Sequence, residues 1–478
     1  MKKSSIPFNF VMNFLLKLSG TLCTAISYPY AFRVIGGAGM GKVAFSASIA
    51  SFFVMLASMG IPLYGIRECA RVRDDREKLR KTVSELLGLQ LLATLGAETL
   101  LLVATLSIPR LREEWPLFLI QACMLLFHGI DTEWLFAALE QYGYLTVRSF
   151  VTKLLAVILI FVFVQDYFQY AVLAVLPVIL NNIWNILTVR SLLGGTANKP
   201  GWTGIRKHFR FARIFLIQSA AITVYANLDA SMLGFFHADA VVGAYDAAIK
   251  IKLVLTYFIV SLGTVLFPRF SYYLAEKRED EFRRGLRMSA DFILLTALPL
   301  MMFFIILAPE CLAVLYGEVN TDTLYSLRIL APTLLLIGCS NLTGIQLLTP
   351  MGREKVVMQS TIAGAVIDLV ANFILIPVYG AAGAAMGTLL AEAGVLVYQA
   401  VAVKKMAVKL FDTGNAVKVL IVSLSASALL MAIHMAGLQD LKAVLIGGFL
   451  YFGTVYGVLM IWGDPVLESV IQRLRKVI

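Results

Sequence analysis

Apolar runs of about twenty residues, long enough to cross a bilayer as helices, recur along almost the whole chain between short charged or turn-rich breaks. They fall near 9–31, 43–66, 82–106, 115–136, 147–165, 168–190, 212–235, 243–268, 289–309, 325–349, 356–378, 382–403, 416–436 and 441–462. Fourteen such runs in 478 residues leave almost nothing for a soluble domain. The runs are continuous, whereas barrel strands alternate apolar and polar residues over about ten positions, so a β-barrel is excluded. Composition agrees: 59% of residues are hydrophobic and 15% charged, against roughly 25% charged in soluble domains. The chain reads as an all-α polytopic membrane protein.

The basic start "MKKSSIPFNF" leads into an apolar stretch that passes Tyr30 without a small-residue cleavage site, which predicts a retained first span. Short loops rich in Lys and Arg stay cytoplasmic. Counting from a cytoplasmic N-terminus, the inside set holds Arg67, Arg71, Arg73, Arg76, Lys78, Arg80 and Lys81 after span 2. It continues with Arg206, Lys207, Arg210 and Arg213 after span 6, and with Arg269, Lys277, Arg278, Arg283, Arg284 and Arg287 after span 8. Arg353 and Lys355 follow span 10, Lys404, Lys405 and Lys409 follow span 12, and Arg473, Arg475 and Lys476 close the tail. The outside set is Arg33, Lys42, Arg110, Arg112, Arg328 and Lys442. The asymmetry predicts both termini in the cytoplasm. Together with anionic headgroups it accounts for the net charge of +11 without a nucleic-acid partner.

Five cysteines lack CxxC spacing, four histidines lack HExxH or other ligand spacing, and neither GxSxG nor a Walker pattern occurs. No metal, cofactor or ATPase site is expected, and the protein is predicted not to be an enzyme.

"GKVAFSASIASFF" from Gly41 opens span 2 and "GAYDAAIKIKLVL" from Gly243 opens span 8, a weak echo of two duplicated helical halves. The expected organisation is a six-helix bundle over 1–195, a basic cytoplasmic linker at 196–211 and a second six-helix bundle over 212–410. Residues 411–478 form an appended hairpin (spans 13 and 14) and a basic tail.

Ionisable groups in hydrocarbon are costly and mark interior or cavity-facing positions. Lys17 in span 1 has no acid nearby in its own helix, so it needs a distant partner, a cavity or an anionic ligand. Arg33 and Arg67 bracket span 2 and suit an anion at either mouth of a cavity, although Arg67 also suits a headgroup anchor. Asp229, mid-span in "YANLDASMLG", is the leading candidate for a proton or cation site. Asp246 and Lys250 lie four apart and can neutralise each other. Lys252, Asp291 and Glu98 read as snorkelling or interface-near groups. In "FILIPVYGAAGAAMGTLLAE", Pro377 to Gly380 predict a tight outer turn, and Gly380, Gly383 and Gly387 a close-packed stripe on span 12.

"YPYAFRVIGGAGMGKVAFSASIASFFVMLASMGIPLYGIRECARVR" from Tyr28 resembles the opening of bacterial polysaccharide flippases of the Wzx type. "DTEWLFAALEQY" from Asp131, "YANLDASMLGFF" from Tyr225, "VGAYDAAIKI" from Val242 and "FPRFS" from Phe267 follow in the same order, and the Pro377 stretch resembles the family's span 11 to 12 junction. Their superfamily also holds the multidrug and toxic compound extrusion transporters. The resemblance covers nearly the whole chain. It implies a V-shaped pair of bundles and alternating access. It further implies an undecaprenyl-diphosphate-linked oligosaccharide, flipped to the outer leaflet of a bacterial inner membrane for capsule, O-antigen or similar polymers. Membrane lipids and other polysaccharide-assembly proteins are the implied partners. On this view Lys17, Arg33, Arg67 and Lys250 are the cationic candidates for the diphosphate, and Asp229, Asp246 and Asp368 are candidates for coupling to a proton or sodium gradient. Asp368 stands where family members often have Asn, one turn before Asn372.

The rival transport reading, a multidrug/cation antiporter, prefers an acidic, aromatic cavity. A lipid II flippase is compatible with the same composition. A polysaccharide polymerase calls for a large outer loop, and every predicted outer loop is short.

Overall fold

The computed structural model describes residues 6–193, 202–404, 410–437, 440–464 and 467–468. Lys405, Lys409, Arg473, Arg475, Lys476 and positions 196–201 of the predicted linker lie outside them. The helices are α1 (Ile6–Ser58), α2 (Ile61–Val72), α3 (Arg76–Ser107), α4 (Pro109–Glu113), α5 (Trp115–His128), α6 (Glu133–Ala138), α7 (Tyr142–Phe163), α8 (Tyr167–Leu193) and α9 (Trp202–Phe236). They continue with α10 (Asp239–Ala275), α11 (Glu279–Ile306), α12 (Ala308–Tyr316), α13 (Thr321–Leu330), α14 (Thr333–Asn341), a π-helical turn (Leu342–Leu348), α15 (Glu354–Lys404), α16 (Thr413–Met435) and α17 (Asp440–Ile461). No strand occurs among the described residues.

Among the described residues, twelve helical stretches are long and apolar enough to cross a membrane. The protein is a multi-pass membrane protein. Backbone groups in hydrocarbon must be satisfied within the chain, which favours uninterrupted helices and confines breaks to points where glycine permits them. Gly36 (φ 78°) breaks α1 and Gly380 (φ 54°) breaks α15, each with a conformation that side chains rarely tolerate.

Both breaks are reversals. In α15 a Cβ at Gly383 would strike the Leu375 carbonyl and one at Gly387 the Asn372 amide, and Gln399 Nε2 donates to Ser360 Oγ at 3.0 Å. The arms on either side of Gly380 therefore run antiparallel. The glycine stripe is indeed a close-approach surface, and the approaching helix is the preceding arm. The turn is narrower than "PVYG" suggests, because Pro377 remains inside the helix.

In α1 the first arm runs alongside α7, from Thr146 Oγ1 donating to Met12 O (2.6 Å) to Tyr30 Oη donating to Phe161 O (3.0 Å). The second arm runs with α5, from the Phe45–Phe118 ring contact to Ser58 at His128. Its start also meets the start of α8, where Lys42 lies over the Tyr167 ring. Since α7 and α8 are antiparallel, pairing Tyr144 with Thr188 and Thr152 with Asn181, the arms of α1 are too. Two of the twelve stretches thus double back on themselves.

The chain divides into two compact units, Met1–Gly243 and Ala244–Ile478. The predicted second bundle begins at 212, but α9 packs within the first unit, where Ser231 Oγ donates to Ser48 Oγ (3.0 Å) and Gly60 abuts the backbone of Ala212 and Leu216. In the first unit, loops after even-numbered spans gather at one end, where Arg73 meets Glu140 and Arg76 donates to Leu192 O. That end carries the exposed Arg67, Arg71, Arg206, Lys207, Arg210 and Arg213. The opposite end is held by ion pairs of Lys42 with Glu114 and of Arg110 with Asp239. There Gly41 meets the Asp239 carbonyl and Gly243 meets Gly37, so the two glycines of the sequence echo touch.

In the second unit, α16 and α17 pack against α11 and α12 around Leu294, Phe303, Leu307, Val419, Leu430 and Tyr451. Asn415 Nδ2 donates to Asp291 at 2.9 Å. Asp291 is therefore a buried inter-helix tie, level with the first turn of α16. At its π-helical turn, Thr343 hydrogen-bonds Gln399.

Candidate functional site

A cavity of about 490 Å³ opens in the first unit among the second arm of α1, α5, α8 and α9. Ala47, Ser51, Val54, Met55 and Ser58 share one face of α1, while Ser219, Thr223 and Asn227 line it from α9 at every fourth residue. Gln121 and Met124 enter from α5. All of its lining residues are uncharged.

Its hydroxyls and amide have a defined polarity. Ser51 Oγ donates to Ser48 O at 2.6 Å, and Asn227 Nδ2 donates to Thr223 O at 3.1 Å. Ser58 Oγ donates to Val54 O at 2.7 Å, so its contact with His128 Nε2 at 2.8 Å makes the imidazole nitrogen the donor. With their single donors bound to their own helix, Ser51 and Ser58 offer acceptor lone pairs, and Asn227 offers its carbonyl oxygen beside one remaining N–H, which suits a ligand rich in O–H groups.

None of the seven charged residues expected to bind the diphosphate or couple to an ion gradient lines this cavity. Lys17, Arg33 and Arg67 are exposed, Arg33 near the Gly36 turn and Arg67 at the basic end. Asp229 is buried on α9 two residues beyond Asn227, and Asp368 is buried on the first arm of α15. The structure brings Lys250 and Asp246 together at 3.1 Å, the neutralising pair their spacing allows.

Three interior groups escaped the sequence reading. Arg148, 2% exposed, donates to Asn185 Oδ1 and to Glu133 Oε2 (3.0 Å) and lies over the Tyr144 ring. Lys153 lies over Gly20, whose missing side chain makes the room. The first arm of α1 keeps step with α7 from Met12–Thr146 to Gly20–Lys153, which puts Lys17 in the same layer as Arg148 and Lys153. At the basic end, buried His208 bridges Tyr64 (2.9 Å) and Glu85 (3.1 Å), tying α9 to α2 and α3. Near it Asp75 caps α3, and the Lys78 side chain and backbone hold its carboxyl below the ordinary range. The cap's contribution is present at neutral pH and is lost as pH falls through that lowered value.

Residues 8–274, more than half of the chain, match the family described as polysaccharide biosynthesis protein. The chain belongs to this family. A second family model, MatE, matches 215–374. The chain is 24% identical over 402 residues to the "Putative O-antigen transporter" of Shigella dysenteriae, covering 83% of this chain and 99% of that protein. It is 22% identical over 290 residues to the "Probable low-salt glycan biosynthesis flippase Agl15" of Haloferax volcanii, covering 60% and 61%. Among solved structures, the lipid II flippase MurJ in an inward closed conformation superposes with a TM-score of 0.70 at 16% identity, covering 95% of this chain and 99% of that one. An inward-facing multidrug resistance MATE transporter of the MOP superfamily gives a TM-score of 0.62 at 13% identity, covering 83% and 99%. The fold is thus shared with MurJ and MATE transporters, and the resemblance to Wzx-type flippases read from the sequence holds for the family.

Proposed function

We propose that this member of the polysaccharide biosynthesis family is a flippase, not an enzyme, that carries a lipid-linked oligosaccharide across a bacterial inner membrane with both termini cytoplasmic. The observation that carries the reading is the uncharged, acceptor-rich cavity in a chain that matches an O-antigen transporter over nearly that protein's whole length. Sugar hydroxyls donate to such acceptors, and the methionines and valines beside them cover the apolar faces of the rings. An antiporter of cationic drugs would call for carboxylates in the cavity, and none lines it.

The diphosphate of an undecaprenyl carrier requires cations outside this cavity. Lys17, Arg33, Arg67 and Lys250 remain the proposed ligands. Alternating access would be driven by a proton or sodium gradient through Asp229, Asp246 or Asp368.

The test is flipping of a fluorescent undecaprenyl-diphosphate oligosaccharide by the full chain in proteoliposomes. Asn227→Ala is expected to lower the rate roughly five- to thirtyfold, the worth of one or two neutral hydrogen bonds of about 1 kcal/mol each. Unchanged flipping in both Asn227→Ala and Ser51→Ala would remove the cavity from the reading. Lys17→Ala and Lys250→Ala should each slow flipping while leaving membrane insertion intact, and full retention in both would reject the cationic assignment. Asp229→Asn should flatten the response to an imposed ion gradient. A response equal to that of the parent protein would take Asp229 out of the mechanism.

A further inference from the structure

Glu98 was read from sequence as a group near an interface, but its side chain is buried, 9% exposed, in the interior of α3. It ends a polar line of Gln90, Thr94 and Glu98, every fourth residue of the helix and all buried. Gln90 is fully engaged: its amide donates to His128 O (2.7 Å) and Asp131 O (3.1 Å), and its carbonyl accepts from Trp134 Nε1 (3.3 Å). Thr94 lies against Gly129 of the antiparallel α5 segment. By that register Glu98 stands one turn further in, level with Leu125.

Glu98 Oε2 is sealed from solvent and no donor among the described residues reaches it. A carboxyl oxygen in that position can be satisfied by the group's own proton or by a small cation. Among the described residues no group of three or more His, Cys, Asp or Glu could hold a metal ion. The other titratable groups on the packed helices are few. α5 contributes Cys123 and, towards the basic end, His128; α9 contributes Tyr225 and Asp229, with Arg206, Lys207, His208, Arg210 and Arg213 at the basic end; and the chain has no Asp, Glu, Lys, Arg or His between Lys42 and Arg67. Arg67, Glu68 and Arg71 of α2 and Arg110 and Glu113 of α4 mark the two ends of the unit.

We propose that Glu98 is a proton-exchange site, its carboxyl taking up and giving back one proton in each transport cycle. This rests on the transport reading above and gives the first unit a coupling group distinct from Asp229.

Dicyclohexylcarbodiimide, which modifies protonated carboxyls in apolar surroundings, is the probe for the full-length protein in lipid or detergent. Mass spectrometry is expected to find Glu98 modified, with labelling that falls as pH rises through a single titration and is indifferent to sodium. In proteoliposomes Glu98→Gln should still flip the lipid-linked oligosaccharide down its own gradient but lose the acceleration by an imposed pH gradient, and Glu98→Asp should restore it. An unlabelled Glu98 at every pH in folded protein, protection by sodium at fixed pH, or full pH-gradient response in Glu98→Gln would each overturn the proposal. Labelling needs no substrate, so parent protein that flips no oligosaccharide while Glu98 titrates would defeat the transport reading and leave the proton site standing.

Discussion

Alanine at Gly41 is expected to destabilise the protein by about 3 kcal/mol, the upper end of the range for overpacking, and to remove transport with it. The added methyl would overlap the carbonyl oxygen of Asp239, and that atom is backbone, so no side-chain rotation relieves the clash. The surroundings hold the contact closed: Arg110 pairs with Asp239, donates through Nε to Gly234 O (2.9 Å) and stacks 5.0 Å from the Phe45 ring. Gly243→Ala meets the Gly37 carbonyl in the same way and should lose as much. Gly96→Ala is the control, since open space surrounds that position in α3. Alanine is worth about 1 kcal/mol over glycine inside a helix. Melting in detergent and flipping in proteoliposomes check all three, and Gly41→Ala melting with the parent protein would show that the junction yields where the geometry says it cannot.

The same contact shows what a single sequence discloses. Gly41 and Gly243 were visible as starts of similar segments because the similarity is local, but their mutual contact is a property of packing. Membrane helices are legible for the same reason: the solvent imposes about twenty apolar residues per crossing, and each run satisfies that alone. The turns are harder. Pro377 drew attention to "PVYG", yet a lone positive-φ glycine performs the reversal, because transmembrane neighbours tolerate proline inside a helix. The position of α9 was not legible at all, since 212 follows the basic loop and nothing local tells which bundle a helix joins.

The candidate site was hidden for a different reason. A search for chemistry in a membrane chain looks for charge, and the cavity is lined by serine, threonine, asparagine and small apolar residues that any span contains. His208 and Glu85 lie 123 residues apart, so no spacing could pair them. Arg148 stood at the predicted edge of span 5, where an arginine looks like a headgroup anchor. The helix begins at Tyr142, more than a turn earlier, and carries the guanidinium inside.

Arg148→Leu is accordingly expected to cost about 2–3 kcal/mol, below the usual 3–5 for breaking a buried pair. The reduction follows from the partner: the Glu133 side chain is 48% exposed, so water takes over its charge when the arginine is gone. What water cannot reach is Asn185, 0% exposed, whose Oδ1 loses its charged donor and keeps only the longer bond from Tyr144 Oη (3.2 Å). The stability therefore resides on the asparagine side. Glu133→Gln keeps an acceptor for Arg148 and should change stability by less than about 1 kcal/mol. Arg148→Lys should rescue little, because one ammonium cannot reproduce the planar fork that serves Asn185 and Glu133 while lying over Tyr144. Comparing the melting of the three variants separates the terms. Equal losses for Glu133→Gln and Arg148→Leu would mean that the stability resides in the ion pair of α7 with Glu133 of α6, and not in the buried hydrogen bond of α7 with Asn185 of α8.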